Sequence, residues 1–517
     1  MADNSDDPTH APWVVHSDQI PTLTILGNGS PTIGPVATED DLFSVAERFC
    51  VDHSLLPLSD EEVTRDCLSD SLHSWPTVCP DFARWVSRLR PFFSVLWDQM
   101  GLLMFINVCL SIPAFDPYFL NALLLFWCDP ASCFIFPEGM LCPTLLDIAM
   151  LLGFPLRGYN LIAAFRPFYR DEGFCDGGTP FSSVIDYYLQ KDGDPTPEEN
   201  RAFLGVLFSK FFFCTRTGTM LNMSAPMIDA MLSGEVAPLA EFFLGSLAIG
   251  MNNLQVRWVD REDPAHVAGP FWFLHLWVLW YFPILSRSVL DSFPANRVGV
   301  HLAAVPMPPK DLEEWIGFFL SPGINDTFFS FRYTTRQFPM PWFLELCYTE
   351  PGSALSPVSD QIWNRILYPR PLLLGHSRIR DDEDVPYFNY APQMVCSQLG
   401  LTQALPRFPT EVNTHYSVVR KLDAHIQSNL DMKLKFFSYR FAPGRTEDYH
   451  LWFYDLVAGP VFVMSPAGAW VPRFMSVDTP PGMLYIHVVY VHLVPCTSTT
   501  SYLFLTYFLS LWHLLQW

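Results

Sequence analysis

The feature that most constrains the fold is an almost uninterrupted apolar segment, GPFWFLHLWVLWYFP, at residues 269–283. Prolines near both ends limit a helix in this segment to about a dozen residues. At ~1.5 Å per residue, such a helix is too short to cross a hydrocarbon layer of ~30 Å. We therefore predict a helix that is buried on every side by protein, with His275 as a hydrogen-bonded core residue.

A helix without a polar face needs a large body around it. Hydrophobic residues make up 50% of the 517-residue chain, whereas charged residues make up only 16%. A chain this apolar needs a high ratio of volume to surface, which favours one compact body over a string of small modules. Together with the helix signals along the chain, this predicts a mainly α fold, a compact multi-helix domain with a few short β-strands.

The charge balance argues against two classes of partner. The net charge is -22 and the isoelectric point is near 4.9. Binding to a phosphate backbone or to an anionic membrane surface needs a basic surface, so we do not expect direct nucleic-acid binding. The first residues, MADNSDDPTH, are acidic and lack the basic-then-apolar order of a signal peptide.

The 12 cysteines are scattered along the chain, and none forms a CxxC pair. Reduced thiols in an intracellular protein are the simplest interpretation of this distribution. Cys128, Cys133 and Cys142 are the closest in sequence, but their spacing does not fit a structural zinc site.

The chain divides into four regions by composition. Residues 1–80 are rich in Asp, Ser, Thr and Pro and are expected to be weakly ordered. Residues 81–406 carry the helical core, and residues 407–483 form a mixed extension. Residues 484–517 form an apolar tail without Asp, Glu, Lys or Arg. We interpret this tail as an aberrant end packed on the body, and a membrane tail anchor remains the alternative.

The strongest helix signals surround residues 144–153. Thr144 and Asp147 have the spacing of a capping box, with Asp in place of the usual Glu or Gln. Gly153 is suited to the position after the last helical residue, and Pro155 prevents continuation. The sequence predicts further helices over residues 117–127, 197–213, 238–254, 311–320, 359–367 and 391–399, and a strand over residues 133–136.

Three stretches together resemble the plant mobile domain family, also described as aminotransferase-like, whose best-known members are the maintenance-of-meristems proteins. The first stretch, residues 126–158, is FWCDPASCFIFPEGMLCPTLLDIAMLLGFPLRG. It is similar to the family pattern of a tryptophan, a short β-prone segment, a Pro-Thr-Leu-x-Asp helix and a closing glycine. The matching positions are Trp127, Phe134, Pro143, Thr144, Leu145, Asp147, Ile148, Ala149, Leu152, Gly153, Pro155 and Gly158.

The second stretch joins residues 237–254 to the apolar segment at 269–283 and is similar to members carried within plant retrotransposons. The third, YAPQMVCSQLGLTQALP at residues 390–406, resembles a family ending in which Gln398, Gly400 and Gln403 recur. The resemblance covers roughly residues 82–406, and the apolar tail matches nothing in the family.

The resemblance implies a nuclear protein with roles in transposable-element silencing, genome stability and meristem maintenance, which acts with a phosphatase-like protein partner. The family offers no established catalytic residues, so we expect a non-enzymatic interaction and scaffold protein without a cofactor or metal. The residues that matter are then those of the structural motif: Trp127, Thr144, Leu145, Asp147, Gly153, Pro155, Gly158, Gln398, Gly400 and Gln403.

Two enzymatic alternatives can be weighed on the residues. Pyridoxal phosphate chemistry needs a Schiff-base lysine and a phosphate cup. Lys210 lies in an apolar helix, but no Gly/Ser-rich cup is near it, so a side chain that reaches water is favoured. The acidic run at residues 381–384 leaves open a transposon-derived, metal-dependent enzyme acting on nucleic acid, although four consecutive carboxylates are more typical of a solvated loop.

Overall fold

A computed structural model describes the chain in a set of separate ranges. The described residues are 22–26, 30–34, 72–128, 131–156, 158, 179–215, 217–220, 224–260, 267–286, 298–320, 332–333, 338, 340–348, 356–373, 387–406, 444–454, 462–464, 470–472, 491–492 and 505–506. The acidic run at 381–384 and nearly all of the tail at 484–517 lie outside them.

Helices dominate the described residues. The α-helices are α1 (Pro80–Gln99), α2 (Leu103–Cys109), α3 (Pro117–Leu124), α4 (Leu145–Leu152), α5 (Phe181–Leu189), α6 (Pro197–Leu207), α7 (Ala225–Leu232), α8 (Leu239–Asp260), α9 (Trp272–Tyr281), α10 (Val298–Ala303), α11 (Leu312–Phe319), α12 (Pro341–Tyr348), α13 (Pro357–Leu367) and α14 (Glu447–Trp452). A π-helix spans Phe208–Phe212, and 3-10 helices span Pro283–Leu285 and Pro392–Leu399.

The strands are short and form small separate sheets. They are β1 (Thr22–Ile25), β2 (Pro31–Gly34), β3 (Trp127–Cys128), β4 (Cys133–Phe136), β5 (Gly139–Leu141), β6 (Arg370–Leu373), β7 (Tyr387–Tyr390), β8 (Thr402–Gln403), β9 (Gly444–Arg445), β10 (Phe462–Met464), β11 (Trp470–Pro472), β12 (Val491–His492) and β13 (Leu505–Thr506). β3, β4 and β5 form an antiparallel sheet, the other strands pair two by two, and only the β8–β9 pair is parallel among the described residues. The mainly helical fold class is therefore confirmed.

The apolar segment forms α9, and all ten of its residues are buried. The His275 imidazole is hydrogen-bonded through Nε2 to the Val305 carbonyl at 2.8 Å. Burial lowers the pKa of this imidazole to about 4, so the ring is neutral near pH 7. Within the described residues, no helix is both long enough and apolar enough to span a bilayer.

Helix α3 starts as predicted and ends earlier than predicted. The Asp116 carboxylate accepts a hydrogen bond from the Phe119 amide, and Pro117 occupies the first turn. The helix stops at Leu124, so the expected extension to Trp127 is wrong. Trp127 lies in β3, where its indole N–H donates to Asn252 Oδ1 at 2.7 Å and ties the small sheet to α8.

Helix α6 also departs from its prediction in two respects. Thr196 caps it by accepting from the Glu199 amide, but the Glu199 carboxylate is turned towards α1. There it accepts from the Trp85 indole and from the Arg88 guanidinium, each at 3.0 Å. Tertiary partners thus replace the reciprocal half of the cap. The predicted single helix over residues 197–213 also changes to a π-helix after Leu207.

Helix α4 is the element on which the others converge. It packs against α2, α8, α10 and α13, and all of its residues are buried. Contact with α10 is so close that a Cβ atom built on Gly299 would overlap the Leu151 carbonyl. The two helices can approach this far only because residue 299 has no side chain.

We predict that Gly299→Ala lowers the free energy of unfolding by about 3 kcal/mol, because the added methyl group must push α10 away from α4. Gly317→Ala is the matched control, since Gly317 lies within α11 with open space around its Cα atom. Alanine should stabilise that exposed position by about 0.5–1 kcal/mol. Urea unfolding followed by circular dichroism measures both, and equal effects of the two substitutions would contradict the close packing.

Candidate functional site

A buried polar site is built on the start of α4. Thr144 and Asp147 form a reciprocal capping box: the Asp147 amide donates to Thr144 Oγ1 at 3.2 Å, and Asp147 Oδ2 accepts from the Thr144 amide at 2.7 Å. The Thr144 hydroxyl also donates to Oδ2 at 2.8 Å. Thr144, three residues away in sequence, therefore supplies both hydrogen-bond donors to Oδ2 of Asp147.

Two tyrosines from distant parts of the chain donate hydrogen bonds to the other carboxylate oxygen of Asp147. The hydroxyl of Tyr281, the last residue of α9, donates to Asp147 Oδ1 at 2.9 Å, and the hydroxyl of Tyr333 also donates to Oδ1. Asp147 and Tyr281 have no exposed surface, and Tyr333 is almost fully buried. Four donors thus meet the roughly four acceptor positions of a carboxylate.

Electrostatics at this site follow from its depth. Burial raises the pKa of Asp147 to about 6, although the hydrogen bonds from Tyr333, Thr144 and Tyr281 act in the opposite direction. Burial also raises the pKa of both tyrosine hydroxyls well above the usual value, so they stay protonated and act as donors. The site holds one carboxyl group that titrates close to neutral pH.

Gln398 joins the third sequence stretch to the first. Its Oε1 accepts from the Cys142 amide at 2.9 Å, and its Nε2 donates to the Cys142 carbonyl at 3.1 Å. The side-chain amide thus pairs with the backbone as a neighbouring strand would, two residues before the capping box. Gln398 is fully buried and also lies beside the Tyr281 hydroxyl.

A second polar cluster lies at the start of α8. Glu241 Oε1 accepts from Arg365 at 3.0 Å and from Arg370 at 2.9 Å. Burial alone would raise the pKa of Glu241, but the two guanidinium groups outweigh it and hold the pKa below its usual value. Arg370 also donates to the carbonyl groups of Arg365 and Tyr368, which are at the end of α13. The cluster therefore fastens β6 and α13 to α8.

The remaining motif residues shape the backbone around these clusters. Gly153 ends α4 in the left-handed region with φ of 75°, which an L-residue adopts only with strain. The Pro155 carbonyl accepts from the Ala240 amide at 3.5 Å, and Gly158 lies against the backbone of residues 236–238. This turn therefore places the start of α8 beside the end of α4.

The other motif positions also have structural surroundings. Leu145 is buried in the first turn of α4, and Gly400 follows the 3-10 helix at Pro392–Leu399. Gln403 Nε2 donates to the carbonyl groups of Gln393 and Ala404, at 2.9 and 3.0 Å. Thr144, Asp147 and Gln398 are thus brought together, whereas Trp127, Gly158 and Gln403 lie in separate contacts.

Sequence patterns did not predict the roles of Tyr281, Tyr333 and the cluster of Glu241 with its two arginines. For Tyr281 a signal existed, because a tyrosine hydroxyl in a helix that is buried on every side must find a partner. Tyr333 carries no comparable signal, since only the tertiary fold brings it to Asp147. Asp147 itself was predicted only as a helix cap, and the structure makes it a contact point for three segments.

Among the described residues, no group of three His, Cys, Asp or Glu side chains is arranged to hold a metal ion. Cys128, Cys133 and Cys142 are buried, and none of them forms a disulfide with another described residue. Lys210 lies in the π-helix, where its side chain is partly buried.

We predict that Gln398→Leu lowers the free energy of unfolding by about 2–4 kcal/mol. The change keeps the size of the side chain but leaves the buried N–H and C=O groups of Cys142 without their partner. Gln99→Leu, at an exposed position in the last turn of α1, should change stability by less than about 0.5 kcal/mol. Chemical unfolding of both variants tests this, and similar losses for the two would refute the role of Gln398.

A second prediction concerns pH. Because folding raises the pKa of Asp147, its contribution to stability is greatest below pH 4 and is lost as the pH rises through about 6. The free energy of unfolding of the natural protein, minus that of Asp147→Asn, should therefore fall by about 2 kcal/mol between pH 4 and pH 7. All other titrating groups cancel in this difference, so a flat or rising curve would show that the carboxyl group is ionised throughout.

Comparison with known proteins gives one match. No curated protein and no solved structure matches the chain. The family model described as plant mobile domain matches residues 104–304, a range that contains the capping box of α4, the start of α8 and the whole of α9. The family prediction is thus confirmed over residues 104–304, the range that is similar to the plant mobile domain model.

Proposed function

We propose that the chain is a non-enzymatic interaction protein whose helical body serves as a scaffold for a protein partner. The observation that carries this proposal is the saturation of Asp147, whose two oxygens are occupied by donors from the chain itself. A carboxylate that acts as a general base or nucleophile must have a free position facing its substrate. Asp147 instead has the environment of a structural link.

The surface supports the same proposal. Phe92 and Val95 lie in the second half of α1 and are 52% and 70% exposed. Pro91, on the same side of the helix, is also exposed. Apolar side chains grouped on the outer face of a long, well-packed helix are typical of a surface that another protein covers. We call the face formed by Pro91, Phe92 and Val95 the α1 face.

The finer part of the proposal follows from family membership. It comprises a nuclear location, a role in transposable-element silencing, genome stability and meristem maintenance, and a phosphatase-like partner. The strongly acidic composition supports action through proteins rather than through direct contact with nucleic acid. The metal-dependent alternative depends on residues 381–384, and the tail-anchor alternative depends on residues 484–517, so both stay predictions.

The test compares affinity purifications from plant nuclei with three baits. The natural chain should recover a stable partner, and the double variant Phe92→Glu with Val95→Glu should recover about tenfold less of it, because charges on the α1 face cannot be buried at an interface. The matched control carries Ile284→Glu and Val358→Glu, at apolar positions that are 62% and 47% exposed elsewhere.

The control bait should recover the partner at the level of the natural chain. Circular dichroism of the three baits checks that all of them fold. Recovery of no stable partner by the natural chain would contradict the interaction function, whereas equal recovery by all three baits would exclude the α1 face as the contact surface.

A further inference from the structure

A π-helical turn lies directly after α6, and hydrogen bonds from another segment of the chain hold it in place. In the π-helix at Phe208–Phe212, the Phe213 amide donates to the Phe208 carbonyl at 2.9 Å, five residues back. The Phe211 carbonyl accepts from the Trp272 indole at 2.9 Å, and the Phe213 carbonyl accepts from the Gly269 amide at 3.2 Å. π-helical turns are rare and occur frequently at functional sites.

Lys210 is the single charged residue of this turn. The other four residues are buried among aromatic side chains, and the Lys210 side chain is partly buried. Within the part of the chain that the structure describes, its Nζ atom has no hydrogen-bond acceptor and no carboxylate partner. Its contact is with the Phe211 ring, whose centroid lies 5.4 Å away. Lys191 differs, because its ammonium group lies over the rings of Tyr187 and Tyr188 at 4.3 and 4.7 Å.

The titratable neighbours of Lys210 are thiols. Cys79, which precedes α1, is partly exposed, and Cys214, which follows the π-helix, is fully buried. Cys214 has a φ of 48°, a left-handed conformation that is uncommon outside glycine. Burial lowers the pKa of Lys210 and raises that of Cys214, so the Cys214 thiol supplies no negative charge to hold the ammonium form.

We propose that Lys210 is a site of covalent acylation, at which its amine takes an acyl group from a thioester. The neutral amine attacks the thioester carbonyl, the new C–N bond forms, and the C–S bond breaks. The amine then loses one proton to the departing thiolate, so the products are an amide and a free thiol. No oxidant, reductant or metal is needed.

The π-helix provides the conditions for this reaction. An amine is a nucleophile only when it is uncharged, and a lysine that is desolvated by burial and has no carboxylate beside it is uncharged more often than an exposed one. The resulting amide is neutral, so acylation also removes the cost of keeping a cation partly buried. The aliphatic part of the side chain keeps its packing.

The experiment uses the folded full-length chain with acetyl-coenzyme A as the thioester. Peptide mass spectrometry follows the rate of acetylation at Lys210, Lys191 and Lys310 in the same sample. We expect Lys210 to react roughly tenfold faster than either of the other two at pH 7.5. Its rate should also level off at a lower pH than theirs, because its pKa is lowered.

Two further measurements keep the proposal falsifiable. In urea that unfolds the chain, the three lysines should react at similar rates, because the advantage comes from the folded surroundings. In Lys210→Arg, the rates at Lys191 and Lys310 should be unchanged. The proposal is overturned if folded Lys210 reacts no faster than Lys310, or if its advantage persists in urea.

Discussion

The fold depends on burying the Asp147 carboxylate while both of its oxygens accept hydrogen bonds from the chain. An isolated ionised carboxyl group is very unfavourable in a core, and it becomes tolerable only when enough donors surround it. Asp147 obtains two donors from Thr144, within its own turn, and two from Tyr281 and Tyr333. Every element that carries one of these donors is thereby fixed relative to α4.

In the second polar cluster, a buried carboxylate is again surrounded by donors, but here the donors are positively charged guanidinium groups. Glu241 is placed at the start of α8, where the helix dipole favours a negative charge, and Arg365 and Arg370 approach it from α13 and β6. Removing one member of such a group leaves an uncompensated charge inside the protein, so the cluster specifies which segments meet.

The sequence was sufficient for features that arise within one turn or one segment. The capping box, the end of α4 at Gly153 and the burial of α9 follow from rules on hydrogen bonding and on helix length. The mainly helical fold class followed from capping residues, prolines and apolar periodicity along the chain. What could not be predicted depends on residues far apart in sequence, as with Tyr333, or on competition between local and distant partners, as with Glu199.

The two failures at helix ends have the same cause. The apolar pattern of residues 117–127 fits a helix, but Trp127 is drawn into β3 by pairing with Phe134 and by its bond to Asn252. Tertiary hydrogen bonds to Trp272 and Gly269 likewise accompany the π-helix after α6. In these two helices, capping residues fix the start and tertiary contacts decide the end.

The long sequence distances within the Asp147 site affect how the chain is made. Tyr333 follows Asp147 by 186 residues, and Gln398 follows Cys142 by 256 residues. At roughly 5–20 residues per second, a ribosome needs on the order of 10–50 s to deliver these partners. During that interval Asp147 and Cys142 lack these partners, and the part of α4 that α13 covers is open to chaperones and to other nascent chains.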